Sequence, residues 1–372
     1  MKDLILDDKT NLVLSSQDRL SHSFITGYPS SGIATYLCKL VAQDTGAQTP
    51  TILIDPYGDL KESVEKNLDE KSKSNILHIK VGSDSNKVSL NIFQNSKNSE
   101  SKIAQTIVDL FYDLYDPNHT GIVGPRFEHA IRNAVITVLA DDKPDFFKLS
   151  KVFVDKEYVK SLLPKIKDQS VKSYWLSQME QTTDFHKSEI LDYIVSKFGP
   201  FMSHEIISKV VNGDNALDLA QAVKEGKTVI FDLSEVVYDT QAYIVLGTLL
   251  LHFVESTMLT KDRQTKVALY VDEVQMMNMS KLQKLAIFAK RYGVTLTYIT
   301  SRVSKLESLA YECSRFGTKI SFRQLGQDSD NVQKMFVQSE SGKMNTQTLK
   351  RFHAYVQTLH EGEIQQVVII ET

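Results

Sequence analysis

Two kinds of apolar pattern alternate along the chain. Short runs rich in β-branched residues occupy Ser23 to Thr26, Thr51 to Asp55, Ile76 to Lys80, Thr228 to Leu233, Val267 to Asp272, Val294 to Thr300, Thr318 to Arg323, Tyr355 to Thr358 and Gln365 to Ile370. Several are apolar throughout, the signature of a strand buried on both faces. Between them, apolar residues recur at helical spacing over Ile33 to Asp44, Ala242 to Thr260, Lys281 to Tyr292 and Asp328 to Phe336. Strands and helices in alternation predict an α/β fold built on a doubly wound, mostly parallel sheet.

The middle of the chain reads differently. No glycine occurs between Gly124 and Gly199, and Ile131, Ala134, Val135, Val138 and Leu139, then Leu162 and Ile166, then Ile190, Tyr193 and Ile194 keep helical spacing. Residues 97–212 are therefore expected to be an all-α insertion, opened by the polar stretch Ser96 to Lys102. Residues 1–96 and 213–372 are then the two parts of one α/β domain. The most hydrophobic window, Tyr243 to Val254, falls short of the ~18 to 20 apolar residues of a membrane span and reads as a buried helix.

Composition narrows this picture only slightly. The net charge of -3, from 43 basic and 46 acidic residues, gives no global footprint of a nucleic-acid binder. Cys38 and Cys313 stand alone and without metal-ligand spacing, as expected of two buried thiols in a reducing, cytoplasmic setting.

The first candidate chemistry lies where the strand Phe24-Ile25-Thr26 meets a helix through Gly27-Tyr28-Pro29-Ser30-Ser31-Gly32-Ile33-Ala34. A phosphate-binding loop is written G-x-x-x-x-G-K-[ST] in this setting, since its glycines let backbone amides close around phosphates at a helix N-terminus. Both glycines are present at the required spacing; Ile33 and Ala34 replace the lysine and the hydroxyl. Each lost contact to a charged phosphate or its magnesium is worth about 1.5 to 3 kcal/mol. The pair would thus weaken nucleotide binding by roughly two orders of magnitude or more. Taken alone, the segment is equally an ordinary glycine turn. The second candidate is Lys266 to Glu273, an apolar strand ending in Asp272 and Glu273, as in a Walker B element where the Asp supports Mg²⁺ and the Glu polarises water.

Longer phrases join the two. Leu269 to Gln275 followed by Leu285 to Thr297, containing Lys290-Arg291-Tyr292-Gly293, resembles the Walker B region of HerA/FtsK and TraG/TraD-like motor ATPases. Asp55-Pro56-Tyr57-Gly58-Asp59 is similar to that family's Asp-Pro-His-Gly-Asp. Gly124 to Glu128 with Arg132-Asn133-Ala134 is similar to the opening of its all-α insertion, Glu225 to Ser234 to the strand before Walker B, and Gly317 to Arg323 to its last core strand. The resemblance covers most of the chain. It implies a RecA-like P-loop NTPase fold and a ring hexamer that binds ATP and Mg²⁺ between subunits and moves or recruits DNA in conjugative type IV secretion. It also assigns roles: Gly27, Ser30, Ser31, Gly32, Ile33 and Ala34 as a degenerate Walker A, Asp272 as the magnesium ligand, Ser301 in the place of a glutamine sensor, and Arg323 as an arginine finger, with Arg291 and Arg315 as further candidates.

Three readings follow. The first is a pseudo-ATPase scaffold or adaptor in a homo- or hetero-oligomer, alongside an active paralogue, touching DNA and reaching a membrane only through partners. The second is an active DNA-stimulated ATPase that takes its cation from Lys39 or a neighbouring subunit. The third is a protein-interaction module without DNA binding. Gly226-Lys227-Thr228 leads into a strand and is read as its start, and His129, His186 and His204 as surface or satisfied core histidines.

Overall fold

A strand with no polar side chain has no face to give to water, so it folds only with a layer on each side. Ser23–Thr26 (β3), Thr51–Asp55 (β4), Thr228–Asp232 (β6), Val267–Val271 (β7) and Val294–Thr300 (β8) are buried at every position. The computed structural model describes residues 1–84, 88–94, 99–180, 192–213, 215–259, 265–337 and 344–372. With Ile76–Lys80 (β5), Thr318–Ser321 (β9), His353–Gln357 (β10) and Val368–Glu371 (β13), these residues form a nine-stranded sheet in the order β13-β10-β9-β3-β8-β7-β4-β6-β5. All pairings from β9 to β5 are parallel, whereas β10 pairs antiparallel with both β9 and β13. The expected doubly wound parallel sheet is present, with an antiparallel edge that includes the last strand. Between β10 and β13 lies a small hairpin, Leu359–His360 (β11) with Glu363–Ile364 (β12).

Helix Ile33–Gly46 (α1) follows β3 and buries Leu37, Leu40 and Val41, the face its apolar spacing selects, in a core that includes Ile25, Leu53 and Ile320. Its C-terminal end is held by a buried ion pair. Arg19 donates from both terminal nitrogens to the Asp44 carboxylate, at 2.8 and 2.5 Å, and the Tyr270 hydroxyl on β7 donates to the same group at 2.7 Å. Two parallel charge-assisted bonds, with a third donor on the carboxylate, are what such a pair needs to offset its desolvation. The N-terminal hairpin Leu4–Asp7 (β1) with Leu12–Leu14 (β2), absent from the sequence reading, lies along the same helix. Gln43 bonds both the amide and the carbonyl of Ile5, and the Tyr36 hydroxyl donates to the carbonyl of Leu6.

Contacts divide the chain into two compact units: Met1–Lys80, Leu219–Val237 and Thr257–Thr372, which carry the sheet, and Val81–Asp218 with Tyr238–Ser256. The helical unit is wider than the sequence-based 97–212, running from Val81 to Asp218, and also takes in Tyr238–Ser256, most of helix Thr240–Met258. There the buried pair His252 and Asp113, 2.9 Å apart, joins it to helix Glu100–Tyr115. An aromatic core forms around Phe111, whose ring meets those of Phe127 and Phe198 edge-on at 5.4 and 5.0 Å, while Phe146 stacks on Phe201 at 4.7 Å. Pro125 opens the helix Pro125–Val138, where its missing N–H costs nothing. Ser96, His186 and Ile190 lie outside the described residues. Among those described, no helix is long and apolar enough to cross a membrane.

Removing one partner of a buried ion pair strands the other charge. Asp44→Ala is expected to lower the unfolding free energy by about 3 to 5 kcal/mol in urea titrations, and the apolar double replacement Arg19→Met with Asp44→Leu to recover part of that loss.

Candidate functional site

The carboxyl ends of β3, β4, β7 and β8 bring together the segments that the sequence singled out. From Thr26 the chain enters the glycine loop, which hangs between its two neighbouring strands: the Gly27 amide donates to the carbonyl of Thr300 after 3.3 Å and the Tyr28 amide to that of Arg323 at 2.7 Å. Gly27 cannot carry a side chain, since a Cβ would stand 2.7 Å from both Phe322 Cβ and Ser31 Oγ. Gly32 has φ +112°, a conformation open to glycine at little cost. The first helical bond of α1 runs from the Tyr36 amide to the Gly32 carbonyl, which leaves the amides of Ile33, Ala34 and Thr35 as the free donors of a helix start. Ser31 is fully buried, and its hydroxyl has no partner among the described residues.

These are the parts of an anion cradle, and the phosphate chain of a nucleotide fits them. Magnesium does not fit as the resemblance would hold it. Ala34 offers no oxygen, Ile33 packs against the core, and no cluster of three His, Cys, Asp or Glu able to hold a metal exists among the described residues. The exposed hydroxyl of Thr35, one residue late for the motif, escaped the sequence reading. Lys39 is partly exposed on the second turn of α1 and forms no ion pair among the described residues.

At the carboxylate end, Asp272 follows β7 and its amide donates to the Ile54 carbonyl at 3.1 Å. Burial first, then the neighbouring Glu273, Asp55 and Asp59, holds its carboxyl well above the usual range. Asp55 is pushed up to about 6 by burial, partly countered by amides of Leu60, Gly58 and Tyr57 that donate to it at 3.0, 2.8 and 3.1 Å. This explains the Asp-Pro-Tyr-Gly-Asp phrase. Asp55 caps the turn, and Gly58, at φ +73°, makes room for the Asp232 carboxylate, which would collide with any Cβ there.

Glu273 has φ 45° and ψ 52°. One of its oxygens, Oε2, accepts from the Ser301 amide at 3.0 Å, from the Ser301 hydroxyl at 2.8 Å, and from the Gln275 side-chain amide. Gln275 in turn accepts from the Thr300 hydroxyl at 2.6 Å. Ser301, placed at the sensor position from sequence alone, thus lies against Glu273. Gln275 and Thr300, which complete this network, had no role assigned from sequence; Gln275 entered only as the last residue of the Walker B-like phrase.

Arg323 belongs to the same end of the sheet, its carbonyl tied to Tyr28 of the loop in its own chain, while its Nε is buried without a partner among the described residues. Arg315 instead stands over the Tyr311 ring at 5.5 Å, and Arg291 is exposed. His204 bonds Asp239 at 2.9 Å, and His129 meets the Tyr174 ring edge-on at 5.1 Å, so both have ordinary structural partners. Gly226-Lys227-Thr228 opens β6, with Gly226 at φ +70° against the Gln48 carbonyl.

No protein-family model and no curated protein matches the sequence. Solved structures do. The chain is similar to the bacterial conjugative coupling protein TrwBΔN70 in its unbound monoclinic form, at 12% identity over 97% of this chain and 87% of that one, with a TM-score of 0.63. VirB4 of Thermoanaerobacter pseudethanolicus aligns at 17% identity, over 100% of this chain and 96% of that one, with a TM-score of 0.64. TrwB in complex with ADP and Mg²⁺ aligns at 10% identity over 97% and 87%, with a TM-score of 0.69. The chain has the RecA-like P-loop fold of these proteins along nearly its whole length.

The acidic cluster gives the site a measurable pH signature. A carboxyl whose folded-state pKa is raised favours folding at low pH and loses that contribution as the pH climbs through the raised value, for Asp55 from 3.8 through about 6. Asp272→Asn removes a carboxyl that burial holds well above its usual range. Its melting temperature relative to wild type is expected to shift in the variant's favour between pH 5 and pH 7.5; a constant difference would show that Asp272 is not electrostatically burdened.

Proposed function

We propose that the chain is a non-hydrolysing subunit of the coupling-protein class of motor, a scaffold or adaptor in conjugative DNA transfer or type IV secretion. The observation that carries this reading is the contrast within one site. The loop, the Asp272–Glu273 pair and the Ser301 position come together as in a P-loop ATPase, yet the two residues that grip phosphate and magnesium are Ile33 and Ala34. Hydrolysis also needs a carboxylate to orient water, and with Glu273 Oε2 taken by three donors only Oε1 is left for that task. By resemblance the subunit works in an oligomeric ring, with its own copies or an active paralogue, and reaches the membrane and DNA through that assembly.

A second reading, an active DNA-stimulated ATPase, is favoured by the retention of both carboxylates beside the sensor position. Turnover assays separate the two. The proposal expects purified protein, with or without DNA, to show no magnesium-dependent ATP hydrolysis above that of Glu273→Gln; turnover abolished by Glu273→Gln overturns it. A module that only binds proteins would show no affinity for single- or double-stranded DNA at low salt, where phosphate contacts are strongest.

The loop itself can be tested by restoring what it lacks. Ile33→Lys with Ala34→Thr is expected to tighten ADP binding by about two orders of magnitude in the presence of magnesium, as followed by calorimetry. An unchanged affinity would remove the loop from consideration as a phosphate site.

A further inference from the structure

The segment before β10 lies directly on the glycine loop. The Phe352 amide donates to the Ser31 carbonyl at 2.8 Å, and its ring lies so close to Gly32 that a Cβ there would stand 2.7 Å from Phe352 Cδ1 and 3.2 Å from Phe352 Cα. Gly32 is thus required twice, by its own φ and by this neighbour. Phe352 is itself held at φ 64°, and its carbonyl accepts from the Thr372 amide at 2.8 Å, which pins the segment from the other side. The preceding residue, Arg351, stands its guanidinium over the Phe352 ring, 4.6 Å from the centroid. Arg351 is exposed; its carbonyl pairs with His353 Nδ1 at 3.1 Å, and its guanidinium has no ion pair or hydrogen bond among the described residues. The chain thus stacks a cation on the ring that lies against Gly32, the residue before Ile33, which stands where a phosphate-binding loop has lysine.

We infer that Arg351 is the phosphate-binding cation of this loop, so that the chain holds a nucleoside di- or triphosphate through Arg351, the Ser31 hydroxyl and the amides of Ile33, Ala34 and Thr35. The inference rests on reading Gly27 to Ala34 as a phosphate site. The buried, unpartnered Ser31 hydroxyl lies inside the turn of that loop, 2.7 Å from where a Gly27 Cβ would be, and supplies the polar contact that a bare helix start lacks. A guanidinium suits the task better than a second lysine would, because its planar fork matches two phosphate oxygens at once and needs no metal between them. Since Ala34 provides no magnesium ligand, this mode of binding is expected to be independent of magnesium. Arg323 differs from Arg351 in that its Nε is buried, while its carbonyl accepts from the Tyr28 amide of the loop.

The test is equilibrium binding of a fluorescent ADP analogue to the full chain, with magnesium and with chelator. Wild type is expected to bind with the same affinity in both to within about threefold. Arg351→Ala is expected to weaken binding by about tenfold or more. Arg351→Met keeps an apolar stem over Phe352 and is expected to lose as much, whereas Arg351→Lys retains part. Binding that is unaffected by both neutral replacements overturns the inference and leaves the loop as a phosphate site with another cation. If wild type fails to bind while Ile33→Lys with Ala34→Thr binds, the inference falls and the loop reading stands. If neither binds, both fall.

Discussion

The buried contact of Arg19 and Tyr270 with Asp44 fixes where everything else can be. Asp44 lies near the C-terminal end of α1, Tyr270 lies in the middle of the sheet and Arg19 precedes β3, so one carboxylate registers the helix against the strands on which the site is built. Its opposite end is the glycine loop. A slip of α1 by one turn would carry the loop about 5 Å from the ends of β8 and β9, where its amides find the carbonyls of Thr300 and Arg323. The position of a surface loop is in this way set by an interaction in the interior, some three turns of helix away.

The sheet follows from the same economy. In the strands β4, β6 and β7, buried on both faces, the carboxylates Asp55, Asp232 and Asp272 occur only at the carboxyl ends. Burial, and after it the neighbouring carboxylates Asp59 and Glu273, raises the pKa of Asp55 and Asp272, a cost that a bound cation would relieve. The loop opposite carries Ile33 and Ala34 at the start of α1, so that helix start has no charged side chain of its own to set against the carboxylates.

Much of this was legible in the sequence, for identifiable reasons. Strands such as Val267–Val271 and Val294–Thr300 declare themselves because every position is apolar or a threonine. Gly27 and Gly32 declare themselves because steric demands leave no other residue. The resemblance put Ser301 at the sensor position, directly after the strand Val294–Thr300, while its contact with Glu273 is visible only in the structure. What stayed hidden depended on contacts between distant segments. Nothing in Lys350-Arg351-Phe352-His353 hints that it lies on residues 31 and 32, and Leu4–Asp7 shows its strand character only when Gln43 and Tyr36 are seen beside it. The helix Thr240–Met258 was recognised as buried, but its partner, Asp113 in helix Glu100–Tyr115, is more than a hundred residues away.

The backbone at Glu273 carries one more consequence. A residue with a full side chain in the left-handed region is strained, at a cost on the order of 1 kcal/mol, and glycine or asparagine would relax it. The two bonds from Ser301 and the one from Gln275 repay some of that strain, but they exist only because a carboxylate is there to receive them. Glutamate at this corner is thus a compromise in which local comfort yields to the polar network, and a crowded acidic turn of the sheet is also a tense one.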